Sequence, residues 1–80
     1  MKRKVFSLFD VVAKVYGPPM LFVHEGEALR SFEDIVKNSQ TLVSKHPADF
    51  RLYRLGEFDD VSGETIVTGK QHREIGRAHV

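Results

Sequence analysis

The stretch KHPADFRLYRLGEFDD, residues 45–60, decides the fold. From Phe50 to Phe58 it is rich in aromatic residues, contains no proline and ends on the turn-forming pair Asp59–Asp60. It therefore reads as a strand running into a turn. Its apolar residues do not hold one phase, because Phe50 and Leu52 fall on one face while Tyr53 and Leu55 fall on the other. A bulge at Gly56 would reset the alternation before Phe58. Pro47 suits the first turn of a short helix, with His46 just outside it and Asp49 near its exposed N–H groups. The basic residues Lys45, His46, Arg51 and Arg54 alternate with these aromatics, so the same stretch is also a candidate nucleic-acid surface.

Working outward, DDVSG supplies a turn and ETIVT a returning strand in which Ile66 and Val67 face opposite ways. Upstream, EALRSFEDIVKN places Ala28, Leu29, Phe32, Ile35 and Val36 on one helical stripe. That helix opens either at Gly26 or Glu27, or at Ser31 with Asp34 completing a capping box. Before it, MLFVHEG is a short strand ended by Gly26. KVFSLFDVVAKVYG is a longer apolar run interrupted by Asp10 and Lys14 and broken by Gly17, Pro18 and Pro19. The phenylalanines Phe6, Phe9, Phe22, Phe32, Phe50 and Phe58 are the natural core, since the chain has few other large side chains. The expected architecture is α+β: a small antiparallel sheet of about four strands, covered on one face by one amphipathic helix.

Eighty residues make one domain with a thin core. We place that domain at residues 1–69, followed by a basic, disordered tail at 70–80. Within the tail, EIGRAHV (residues 74–80) back-translates as GAG ATC GGA AGA GCA CAC GTC, a widely used sequencing-library adapter, and is expected to be an assembly scar. There is no cysteine, hence no disulfide framework and no cysteine zinc site. No apolar run approaches the roughly 20 residues of a membrane span. The net charge of +1 excludes a histone-like polycation. Its distribution is uneven: Lys2, Arg3 and Lys4 make one end basic, Lys70, Arg73 and Arg77 the other, and six basic residues face ten acidic ones between residues 5 and 69.

Nothing in the sequence points to an enzyme. Asp59, Asp60 and Glu57 sit in or beside a turn, where aspartate needs no chemistry to explain it. His24, His46, His72 and His79 lack zinc-ligand spacing, no serine lies in a nucleophile elbow, and no glycine belongs to a phosphate loop. No metal or cofactor is expected. For nucleic acid, the candidate residues are Lys2, Arg3, Lys4, Lys45, His46, Arg51, Tyr53 and Arg54, with Tyr16 as a further surface aromatic. Strict alternation puts Arg51 and Tyr53 on one face and Arg54 on the other.

Three motifs carry a family resemblance. Ser7, Asp10 and Ala13 match S-x-x-D-x-x-A, and after the Gly17-Pro18-Pro19 break Ala28, Arg30 and Phe32 match A-x-R-x-F. Lys45-His46-Pro47 with Asp49, Phe50, Leu52, Tyr53, Leu55, Gly56, Phe58 and Asp59 then fill KHP-x-D-[FY]-x-L-[FY]-x-[LI]-G-x-[FY]-[DE]. Over residues 4–68 the chain resembles the small nonstructural protein of gokushoviruses, single-stranded DNA phages of the Microviridae. The resemblance implies a non-catalytic protein made in the host bacterial cytoplasm and not retained in the virion. It implies binding of phage DNA, single-stranded first and duplex as a lesser expectation, in the switch from double-stranded replication to single-stranded genome synthesis. Affinity is then expected to fall steeply with salt. A homodimer and a host replication protein are further partners compatible with it. The rival expectation, supported by the acidic middle of the chain, is a module that binds a host or phage replication or assembly protein without touching DNA.

Overall fold

The computed structural model describes residues 1–67 and 73–77, with Arg73 described by its backbone alone. In chain order the elements are β1 (Lys2–Asp10), β2 (Val15–Tyr16), β3 (Met20–Phe22), α1 (Glu25–Lys37), α2 (Leu42–Lys45), a 3-10 turn at Pro47–Asp49, β4 (Phe50–Asp59), β5 (Thr65–Val67) and β6 (Arg73–Arg77). The fold is α+β, with one antiparallel sheet. β1 and β4 lie at its centre, paired from Lys2↔Asp59 to Asp10↔Phe50.

Among the described residues the sheet has six strands where about four were expected, because both of its edges are broken in two. β2 pairs with Phe9–Asp10 and β3 with Lys4–Phe6 along one edge of β1. Pro18 and Pro19, which have no N–H to give a ladder, separate them. β5 pairs with Gly56–Phe58 and β6 with Arg51–Arg54 along the other edge of β4. Arg73–Arg77 thus forms a strand within the segment expected to be a disordered tail, and Ile75 packs against the core. Lys70, His72 and His79 lie outside the described residues.

The apolar run of the N-terminal third is cut at Asp10. Its carboxylate accepts hydrogen bonds from the N–H groups of Val12 (2.9 Å) and Ala13 (3.1 Å), and that turn sends the chain back as β2. The expected bulge in β4 is real but falls one residue early. Val5 pairs with Gly56 and Phe6 with Arg54, so Leu55 is the extra residue. Gly56 instead permits the close approach of β5, because a Cβ there would collide with the Ile66 carbonyl.

α1 starts at neither of the two positions expected. His24 is the N-cap, and the Glu27 carboxylate reaches back to accept from its backbone N–H at 3.1 Å. α2 was not legible as a helix. Thr41 caps it by accepting from Ser44 N–H at 3.1 Å while donating to the Ile35 carbonyl at 2.8 Å, which ties the two helices together. The helical layer is therefore more than a single helix. Phe6, Phe50 and Leu52 of the sheet are buried with Ala28 and Phe32 of α1 and Val43 of α2, and Leu8, Met20 and Phe22 pack around them. Phe9 and Phe58, expected in the core, stay outside that cluster.

Candidate nucleic-acid interface

Successive strand residues point to opposite sides, so the phase that buries Phe6 and Leu8 turns Ser7 and Phe9 the other way. Ser7 is paired with Tyr53, Phe9 with Arg51 on β4, and Phe9 with Tyr16 on β2. Three rings meet there. Phe9 and Tyr16 have centroids 4.7 Å apart, Phe9 and Tyr53 5.9 Å, and Tyr16 and Tyr53 5.8 Å. Tyr16 is 43% exposed, and Phe9 and Tyr53 are half-buried. Ser7 beside them is fully buried, its hydroxyl satisfied by donation to the Gly17 carbonyl at 2.8 Å. Partly exposed rings on neighbouring strands of a sheet are an arrangement on which unpaired bases stack.

The basic residues are less well assembled. Arg51 lies on the ring side, but its Nη1 donates to the carbonyls of Ala48 (2.6 Å) and Phe50 (3.2 Å), and its Nε is 3.6 Å from Glu74. Arg54 is opposite the buried Phe6, ion-paired with Glu57 at 3.0 Å, and its Nε is buried without a partner. Arg51 and Arg54 thus belong to opposite sides, as alternation requires. Lys2, Arg3 and Lys4 lie at the far end of β1, about 20 Å from Phe9 at roughly 3.3 Å per residue. Two of them are engaged: Arg3 with Asp60 at 3.0 Å, and Lys4 with the Val23 carbonyl at 3.1 Å. Lys45 and His46, both exposed, end α2 at the ring end of the sheet, where Val11 N–H donates to the Asp49 carbonyl at 2.9 Å. The eight candidate residues therefore do not form one patch.

Two residues of this region are easily missed in the sequence. Phe9 counts as core by residue type, although its phase relative to Phe6 places it outside. Lys14 looks like a mere interruption in an apolar run. It occupies the turn between β1 and β2 with φ 60°, a left-handed conformation unusual for a residue with a side chain.

The acidic pair behaves as turn chemistry. Asp59 accepts from Val61 N–H at 2.9 Å and Ser62 N–H at 3.4 Å, and these backbone bonds lower its pKa. Asp60 is lowered by the Met1 amine, which donates to it at 2.7 Å, and then by Arg3. Among the described residues no three histidine or acidic groups come together as a metal site. No helix among them is long and apolar enough to cross a membrane. A hollow of about 410 Å³ opens on the helix side between Leu8, Val15, Pro18, Leu42 and Phe50. Its one carboxylate, Asp10, is occupied by the turn described above.

Comparison with curated proteins found no match, and comparison with solved structures found none either. A family model described as phage ORF5 protein does match, over residues 3–79, and with nearly its whole length inside that match the chain belongs to the phage ORF5 protein family.

Proposed function

We propose that this is a non-catalytic phage protein of the gokushovirus kind that binds single-stranded viral DNA. Its place of action is the host bacterial cytoplasm, where it favours single-stranded genome synthesis over double-stranded replication. The observation that carries the reading is the cluster of Phe9, Tyr16 and Tyr53 on the side of the sheet turned away from the helices. Bases held in a duplex offer no free face to such a cluster, whereas unpaired bases do. The test is fluorescence anisotropy of the full chain with labelled single-stranded and duplex oligonucleotides at low salt. Tighter binding of the single strand is expected. It should weaken about 5- to 150-fold on Tyr53→Ala, the equivalent of one stacked base. Tyr53→Leu keeps apolar bulk in the sheet and should weaken binding too. No binding at low salt, or equal binding by all three proteins, overturns the proposal.

The excess of acidic residues between 5 and 69 favours a second reading, a module for a replication or assembly protein. Under it, the ring variants would abolish capture of a protein partner while DNA binding is absent throughout.

A further inference from the structure

Arg51 and Arg54 are among the cations the sequence offers for DNA, yet both guanidinium groups are already in use within the protein. Of the described cations, Arg3 and Lys4 are also engaged, Arg77, which pairs with Arg51 across the ladder, is held by Glu74 at 3.1 Å, and Lys2 lies at the opposite end of β1 from the rings. Arg30 and Lys37 belong to α1, and Lys45 to the end of α2, both on the helix side. Lys14 differs from all of these. It is exposed, has no ion pair among the described residues, and stands two positions before Tyr16 in the turn that joins the strands carrying Phe9 and Tyr16. Its N–H donates to the Asp10 carbonyl at 2.8 Å, and the Asp10 carboxylate fixes the same turn, so the backbone is held in place next to the platform. That backbone has φ 60°, where glycine or asparagine is the usual occupant. A lysine kept in a conformation that disfavours it is a local conflict of the kind that marks functional positions.

Resting on the single-strand reading above, we infer that Lys14 is the phosphate-contacting residue of the site and that the site's ligand is a short run of unpaired bases held mainly by stacking. The ammonium on its flexible stem reaches the backbone of a base seated on Tyr16, while Arg51 holds the chain at Ala48 and Phe50 in place. With so few phosphates neutralised, affinity falls gently with salt, in place of the steep decline that a basic groove would give.

The measurement is the slope of log affinity against log salt for a labelled single-stranded oligonucleotide, for the full chain and for Lys14→Gly and Lys14→Arg. Glycine suits the observed backbone, so loss of binding in that variant does not reflect loss of folding. The expected wild-type slope is about −0.7 to −1.4, the value for one or two phosphate contacts on a single strand. Lys14→Gly should make it shallower by about 0.7, and Lys14→Arg should retain it. A steep wild-type slope, or a slope unmoved by Lys14→Gly, overturns the inference and leaves DNA binding standing. Absence of any binding overturns both.

Discussion

Gly56→Ala tests how the sheet is closed on its β5 edge. An added Cβ would meet the carbonyl oxygen and carbon of Ile66 and the Cα of Val67, all backbone atoms that cannot swing aside like the end of a flexible side chain. Overpacking of this kind costs about 1–3 kcal/mol where the neighbours must stay. Here they need not stay. β5 contributes Ile66 and Val67, which are 51% and 67% exposed, so detaching it sacrifices little apolar burial. What it loses is a few ladder hydrogen bonds at about 0.5–1.5 kcal/mol each. The variant takes whichever route costs less, so the overpacking range is the ceiling: at most about 1–3 kcal/mol, or a fall in Tm of roughly 4–24 °C for a domain of this size. Thermal melting followed by circular dichroism gives the shift, and amide hydrogen exchange shows whether protection is lost selectively at residues 65–67. Gly26→Ala is the control: nothing lies within 4 Å of a Cβ there, and alanine within α1 should be neutral or stabilising by up to about 1 kcal/mol. An unchanged Tm with intact protection at β5 in Gly56→Ala would refute the packing argument.

Four further outcomes are expected. Lys14→Gly should stabilise the fold by about 0.5–1 kcal/mol, read as a higher Tm, because the left-handed turn no longer carries a side chain; a lower Tm would contradict the strain. Arg54→Met should leave stability within about 1 kcal/mol of the original, on the stabilising side, since it removes a buried Nε that has no partner and lies opposite Phe6. The same variant should bind DNA as the original does, and a loss of affinity in anisotropy would place Arg54 at the interface. Asp59 and Asp60 are both lowered below 3.8 in the folded chain, so their contribution is full above that value and is lost as pH falls through the lower folded values. Tm should therefore hold between about pH 7 and pH 5 and decline below about pH 4, and a decline already complete at pH 5 would assign acid sensitivity to other groups.

The central strand and its turn were legible because Phe50, Leu52, Asp59 and Asp60 obey local rules of period and turn chemistry. The edges were not, because the split of each edge depends on which part of β1 or β4 a short segment pairs with. Val15–Tyr16 and Met20–Phe22 have no length from which to read a period. α2 was hidden for the same reason: four residues show no helical stripe, and its stability comes from Thr41 bridging to Ile35. At the candidate site, Tyr16 and Tyr53 were legible as amphipathic surface aromatics. Phe9 was not, because the scarcity of large side chains argues for burying every phenylalanine, and that argument overrides a phase that Ser7 already gives away. Arg51 and Arg54 look like free charges in the sequence, which does not show which carbonyls and carboxylates a guanidinium will reach.

The balance of charge and rings bears on what such a protein can distinguish. A groove rich in free lysine and arginine binds any phosphate backbone, duplex or single, with affinity set by the number of counterions released. This chain carries a net charge of only +1, and its middle is acidic, so long-range attraction to DNA is weak. On the ring side Arg51 is spent on protein carbonyls and Arg77 is paired with Glu74, and the rings themselves are uncharged. Affinity built chiefly on Phe9, Tyr16 and Tyr53 would then report whether bases are unpaired, because a duplex presents its phosphates and hides its base faces. Adding cations to the ring side would raise affinity for both forms alike and erode that difference. Restraint in charge is thus what the proposed role between double-stranded and single-stranded synthesis would require, if the protein is to engage one product and ignore the other.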